Sequence, residues 1–108
     1  MSKNILITVL SWNDWKNTVV CLESIFQNDY QNFDVLLINN GSEKYHIQKI
    51  KDWAKNKILI DDKEIEFNKN KQIKIINTTN NQKINAKGSK NIYLIDLEKN
   101  IGLAPAVN

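Results

Sequence analysis

The sequence contains no arginine: all 15 basic residues are lysines, and the net charge is only +3. Arginine supplies most bidentate contacts to guanine in proteins that read nucleic acids, and it also stacks on bases. The lysines are interspersed with Asp and Glu and form no basic stripe, a pattern typical of a solvated surface. The composition therefore argues against nucleic acid as a partner.

Cysteine, histidine and long apolar runs are also scarce. Cys21 is the only cysteine, which excludes an internal disulfide and a cysteine-based zinc site, and we expect it to be a small buried residue of a helix. His46 is the only histidine and has no partner nearby in sequence for metal binding or acid–base chemistry. No apolar run approaches the roughly 20 residues that span a bilayer. We expect a cytoplasmic protein with no signal peptide and no membrane span.

Apolar periodicity predicts alternating strands and helices. Residues 4–10, 33–38 and 92–97 are almost continuously apolar, as in strands buried on both faces. Residues from Asp14, which we expect to cap the helix, to Phe26 and residues 43–56 repeat apolar side chains at helical spacing. This alternation predicts an α/β fold, Rossmann-like, with a mostly parallel sheet flanked by helices.

The region 57–91 breaks this alternation. It contains two short alternating pieces, Glu64–Phe67 and Ile73–Ile76, separated by segments rich in Asn and Lys. We predict an inserted β-hairpin with a mobile loop, within a single domain that covers residues 1–108. Residues 100–106 are typical of a loop that opens into a helix, with Pro105 in its first turn. A helix cut within a turn predicts that the chain is a truncated piece of a longer protein.

Three polar segments follow the predicted strands: Ser11-Trp12-Asn13, Asn39-Asn40-Gly41-Ser42 and residues 100–108. Ligands of open α/β sheets bind outside the carboxyl ends of the strands. Small polar side chains, backbone N–H groups and an aromatic ring together suit a nucleotide. Two plainer interpretations stay open, because Asn-Gly is a common turn and a single Trp often serves only packing.

The same three segments resemble the motifs of family 2 glycosyltransferases of the GT-A fold. Residues 7–13 and 21–25 are similar to that family's opening, in which a strand ends in Thr-Tyr-Asn and a helix carries Cys-Leu-x-Ser-Leu. Residues 36–42 resemble its Val-Val-Asp-Asn-Gly-Ser motif, and residues 100–108 resemble its Asn-x-Gly-Phe-Ala-x-Ala-x-Asn motif. The resemblance covers nearly the whole chain outside 57–91. Some members of the family with a similar insertion resemble rhamnosyltransferases.

The resemblance implies that the intact enzyme transfers a sugar from a nucleoside diphosphate, UDP- or dTDP-linked, to an acceptor hydroxyl. Asn39 stands where the family has an Asp that accepts the imide N–H of the base; its neutral oxygen also accepts, but more weakly. Lys44 stands where a second Asp is frequent. The nucleotide-binding positions implied are Ser11, Trp12, Asn13, Asn39, Asn40, Gly41, Ser42, Asn100, Gly102 and Asn108.

The resemblance also implies a divalent cation, Mg²⁺ or Mn²⁺, held against both phosphates by an Asp-x-Asp motif. That motif follows the Asn-x-Gly segment in the family, so we expect its ligands and the catalytic base to lie outside this chain. Asp61-Asp62 and Asp96-Leu97-Glu98 imitate the motif, but at the wrong place in the order. The chain alone is therefore expected to be inactive, to hold no metal and to bind nucleotide weakly. If the chain belongs to such an enzyme, we expect the intact enzyme to be cytoplasmic or peripheral to a membrane. The alternative function is a non-catalytic interaction module that forms a homodimer through an uncovered apolar face.

Overall fold

A computed structural model describes residues 4–41, 43–58, 65–78 and 88–97. The elements in these ranges are β1 (Ile5–Ser11), α1 (Trp15–Phe26), β2 (Phe33–Asn40), α2 (Lys44–Ala54), β3 (Ile75–Thr78) and β4 (Ile92–Leu97). The four strands form one sheet in the order β1-β2-β4-β3, and every neighbouring pair is parallel. The predicted α/β fold with a parallel sheet is confirmed. Neither helix is long and apolar enough to cross a membrane.

One face of the sheet carries the core. Along β2, Phe33, Val35 and Leu37 are buried at every second position, as the pleat of a strand requires, and Leu36 and Ile38 on the other face are less buried. The buried face packs against α1 and α2, and these two helices also contact each other. Together they form one hydrophobic core, which consists of Val19, Leu22, Phe33, Val35, Leu37, Ile47, Ile50, Trp53, Ala54, Phe67, Ile92 and Leu94. Right-handed crossovers that step in one direction along a sheet place successive helices on the same face. The opposite face exposes Leu10 of β1 to 64%.

The insertion differs from the predicted hairpin. In its described residues it contributes one strand, β3, which pairs with β4 in parallel, whereas residues 65–68 form no strand. The reason lies just before β3, where Lys71 is tied to Asn56, after α2, and to Glu23 of α1. These contacts bring the chain to the amino end of β4, so the next residues run in the same direction as that strand. The remaining insertion residues, 59–64 and 79–87, lie outside the described residues, and they include most of the polar segment 77–89 for which the mobile loop is predicted.

Two expectations about α1 are wrong. Cys21 is exposed, because the buried positions of the helix are Thr18, Val19, Leu22 and Glu23 and Cys21 lies on the far side. Asp14 occupies the N-cap position but makes no side-chain cap; its carboxylate accepts from Asn17 Nδ2 at 2.9 Å.

A residue of the neighbouring helix provides the missing cap. The backbone N–H of Trp15 donates to Nδ1 of the buried His46 over 3.4 Å. A first-turn N–H has no partner within its own helix, and the imidazole of α2 supplies one. His46 therefore links the two helices, which accounts for its burial.

Buried carboxylates anchor the insertion at the amino edge of the sheet. Asp34 is fully buried in β2, and it accepts three backbone N–H groups, from Gly88 at 2.7 Å, Ser89 at 3.2 Å and Asn91 at 2.8 Å. These residues lead into β4. One carboxylate thus fixes the point where the insertion rejoins the sheet.

Glu23 does the same for the middle of the insertion. Its Oε1 accepts from Trp53 Nε1 at 2.9 Å and lies 3.4 Å from Lys71 Nζ. Its Oε2 accepts from Gln27 Nε2 at 2.9 Å and from the Asn68 N–H at 3.3 Å. Both oxygens of this buried charge therefore have donors, the condition under which a charge is tolerated in a core.

Candidate functional site at the carboxyl edge

The carboxyl ends of three strands meet at one edge of the sheet. Ser11, the last residue of β1, is in register with Asn39 of β2, and Asn39 is in register with Asp96 of β4. One residue past β2, the N–H of Gly41 donates to the Leu97 carbonyl at 2.9 Å. The first two predicted segments and the end of β4 therefore lie side by side.

The loop after β1 is joined to the start of α2. Oδ1 of Asn13 accepts from the Glu43 N–H at 3.0 Å, and Glu43 is the N-cap residue of α2. Asn13 has a φ of 48°, in the left-handed region that Asn tolerates better than most residues. Gly41 also has a positive φ, 79°, where glycine carries no steric cost. The two loops thus turn sharply and are held together at this edge.

Trp12 lies in the first of these loops and is 58% exposed. An indole with this exposure is not a core residue, which removes the interpretation of Trp12 as core packing. Exposed tryptophan rings provide a flat apolar surface for stacking. Trp12 therefore offers the edge a platform of the kind that holds a planar ligand.

The side chain of Ser11 is engaged within the fold. Its Oγ lies 2.9 Å from Thr18 Oγ1, and Thr18 Oγ1 donates its proton to the Asp14 carbonyl at 2.9 Å. Thr18 has one hydroxyl proton, so Ser11 must be the donor in the contact between the two hydroxyls. The Ser11 side chain, which is buried, ties β1 to α1.

Asn39 is the most unusual residue of the edge. Its side chain is fully buried, and Nδ2 donates to Asp96 Oδ1 at 2.7 Å. Its own Oδ1 is also buried, yet no donor within residues 4–41, 43–58, 65–78 and 88–97 reaches it. A buried acceptor without a donor costs about 1–3 kcal/mol, and such atoms are uncommon in native proteins, so Asn39 Oδ1 is a candidate contact for another group.

Asp96 is the residue of this edge whose role the sequence analysis missed. It was weighed only as an imitation of a metal motif, whereas its carboxylate is engaged with Asn39. Among the described residues, no group of three or more His, Cys, Asp or Glu side chains could hold a metal ion. The signal for Asp96 in the sequence was its position near the carboxyl end of a predicted buried strand; the pairing of that strand with β2 is known only from the structure.

The described residues cover part of the predicted site. Ser11, Trp12, Asn13, Asn39, Asn40 and Gly41 lie together at the edge, and Asn40 is half-buried at the end of β2. Ser42, Asn100, Gly102 and Asn108 lie outside the described residues, as do Asp61, Asp62 and Glu98. Searches against protein-family models, curated proteins and solved structures found no match for this chain.

Proposed function

We propose that this chain is the nucleoside-diphosphate-sugar-binding part of a glycosyltransferase. In the reaction proposed for the whole enzyme, the bond from the sugar's anomeric carbon to the diphosphate oxygen breaks and a bond to an acceptor oxygen forms. The nucleoside diphosphate leaves with the electrons of the broken bond, and the proton of the acceptor hydroxyl passes to a general base. We assign no catalytic residue within this chain.

The single observation that carries the proposal is the buried Oδ1 of Asn39. Uracil and thymine present an imide N–H, and an amide oxygen at the end of a central strand is a suitable acceptor for it. The carboxyl edge of a parallel sheet is also where ligands of α/β proteins bind. Asn39 thus combines the place and the chemistry that a pyrimidine base requires.

Two neighbouring features support the same proposal. Trp12, whose ring is exposed, directly follows Ser11 at the end of β1, and Ser11 is in register with Asn39 of β2. Base–aromatic stacking contributes about 1–3 kcal/mol in other proteins. The hydrogen bond between Asn13 and Glu43 holds that loop against the start of α2, so the residue next to Trp12 is fixed in position.

The proposed enzyme needs a divalent cation to neutralise the diphosphate that leaves. Asp96 is the carboxylate of this edge closest to the proposed base site, and its Oδ1 is engaged with the Asn39 amide. Among the described residues, Asp96 belongs to no group of three or more His, Cys, Asp or Glu side chains of the kind that a hard-cation site needs. We therefore assign no metal ligand among the described residues.

Calorimetric titration of the chain with UDP and dTDP tests the proposal. We expect saturable binding in the millimolar range, and a loss of about 10-fold in affinity for Asn39→Ala, in keeping with about 1–3 kcal/mol for a base contact. Asn70→Ala is the matched control, since Asn70 is an exposed asparagine of the insertion. Absence of binding at saturating millimolar UDP and dTDP, or equal affinities for both variants, contradicts the proposal.

A second candidate function is self-association through the outer face of the sheet. Leu6 and Leu10 of β1 are 41% and 64% exposed on that face, and exposed apolar patches promote association. Sedimentation equilibrium distinguishes the two functions: this candidate predicts a concentration-dependent dimer that Leu10→Lys dissociates and that UDP does not affect.

A further inference from the structure

We infer that Asp96 fixes the orientation of the Asn39 amide and thereby makes the site select bases with an imide N–H over cytosine. The inference rests on the proposed function, because it assumes that a pyrimidine meets Asn39. It adds a specificity-determining residue to that site and predicts a base preference that Asn39 alone does not provide.

An asparagine by itself does not discriminate uracil from cytosine. Its amide oxygen accepts the N3–H of uracil, and after a 180° turn about its last torsion the amide nitrogen donates to N3 of cytosine. The two orientations differ only in which neighbours they satisfy. The residue that faces the other half of the amide therefore decides which base is recognised.

Asp96 supplies that decision. An ionised carboxylate only accepts hydrogen bonds, so the group 2.7 Å from Asp96 Oδ1 must be the amide nitrogen of Asn39. If the amide turned by 180°, its oxygen would face Asp96 Oδ1 at that distance. The charge-assisted hydrogen bond would be lost and the two oxygens would repel each other. That leaves Oδ1 as the half of the amide that Asp96 does not engage, and it is the half without a donor among the described residues.

The same geometry explains why this chain has Asn where the resembling family has Asp. Asn39 and Asp96 are partners in the register of β2 and β4, and their side chains touch. An Asp at position 39 would put two carboxylates within hydrogen-bonding distance, and like charges this close cannot both remain ionised. In this chain the carboxylate belongs to Asp96 on the neighbouring strand, and by holding the Asn39 amide nitrogen it leaves the amide oxygen as the acceptor for the base.

UDP and CDP are the probes, because they share the ribose and the diphosphate and differ only at the base. We expect the unmodified chain to bind UDP at least about 10-fold more tightly than CDP, the size of one good donor–acceptor match. In Asp96→Asn two amides face each other and turn together, so the preference should fall to about threefold or less. Asp29→Asn, the same charge change at an exposed residue at the opposite edge of the sheet, should keep the full preference.

The exchanged pair Asn39→Asp/Asp96→Asn provides the rescue. Its carboxylate at position 39 is an acceptor only, and the amide at position 96 is its donor, so the preference for UDP should return. If Asp96→Asn fails to fold, Asp96→Ser replaces it, because a hydroxyl both donates and accepts and should likewise relax the preference.

The outcomes separate the inference from the proposed function. Binding of UDP with equal affinity for CDP, or an undiminished preference in Asp96→Asn or Asp96→Ser, overturns the inference and leaves nucleotide binding standing. Failure of the exchanged pair to prefer UDP also overturns it. Absence of any UDP binding overturns the proposed function and the inference together.

Discussion

The amino and carboxyl edges of the sheet treat buried polar groups in opposite ways. At the amino edge, Glu23 and Asp34 are buried carboxylates whose oxygens all accept from donors in α1, α2, the insertion or the residues before β4. At the carboxyl edge, Asn39 buries an acceptor that no described residue satisfies. The first edge is built for stability and the second leaves a hydrogen bond to be made. Residues that break local rules in this way tend to mark functional sites.

The largest effect should come from Glu23→Ala. It would leave Lys71 Nζ and Trp53 Nε1 buried without the carboxylate, and breaking a buried ion pair costs about 3–5 kcal/mol. Urea unfolding measures the loss, and Glu66→Ala, at an exposed glutamate of the insertion, should stay within about 0.5 kcal/mol. A cost below about 1 kcal/mol for Glu23→Ala would show that the amino edge does not depend on this charge.

Asp34→Ala should be the next most harmful change. The N–H groups of Gly88, Ser89 and Asn91 lose their acceptor, and because Ser89 is exposed and the other two are half-buried, water replaces some of the bonds. We expect a loss of about 2–3 kcal/mol in the free energy of unfolding, at the upper end of the range for a hydrogen-bonded charge. Hydrogen exchange checks the mechanism, since these three amides should lose protection while those of α1 change less. Uniform loss of protection would contradict a local anchor.

Asn39→Ala should cost far less stability although Asn39 is fully buried. The change removes an unsatisfied acceptor, and the Asp96 that it leaves behind is an exposed residue whose carboxylate water can solvate. We expect the free energy of unfolding to fall by less than about 1 kcal/mol, because the change leaves no buried donor or acceptor without a partner. A loss comparable to that of Asp34→Ala would mean that the carboxyl edge is a structural edge like the other.

Trp12→Ala should affect stability least. The ring is 58% exposed and lies in a loop, so urea unfolding should shift by no more than about 0.5 kcal/mol. Its affinity for UDP should nevertheless fall about 5- to 10-fold, from the loss of a stacking surface. Trp53→Phe is the contrasting variant at the amino edge, where loss of the Nε1 donor to Glu23 should lower stability and leave UDP affinity unchanged.

Periodicity predicted most of the fold because buried strands and amphipathic helices carry their pattern locally. Residues 92–97 were predicted as a strand and form β4 with these bounds. β2 continues two residues beyond its apolar run, through Asn39 and Asn40, because these residues pair with the end of β4. Pairing between strands far apart in sequence is not visible in a local pattern, and the strand predicted at 33–38 therefore ends two residues before β2 does.

The polar interior could not be predicted for the same reason. Glu23 lies on a helical face that periodicity marks as apolar, and its donors Trp53 and Lys71 come from a second helix and the insertion. The pair of Asn39 and Asp96 likewise joins residues 57 positions apart. The placement of polar segments at strand ends did follow from the sequence, since strand direction alone determines it.

A nitrogen-15 NMR titration of the chain with UDP tests the central claim most directly, because it reports both edges in one experiment. We predict saturable shifts of the Asn39 side-chain amide, the Trp12 indole N–H and the Gly41 amide, with the Trp53 indole N–H unmoved. Shifts confined to Trp53 and Asn68, or a spectrum unchanged at saturating millimolar UDP, would contradict the assignment of the carboxyl edge as a nucleotide site.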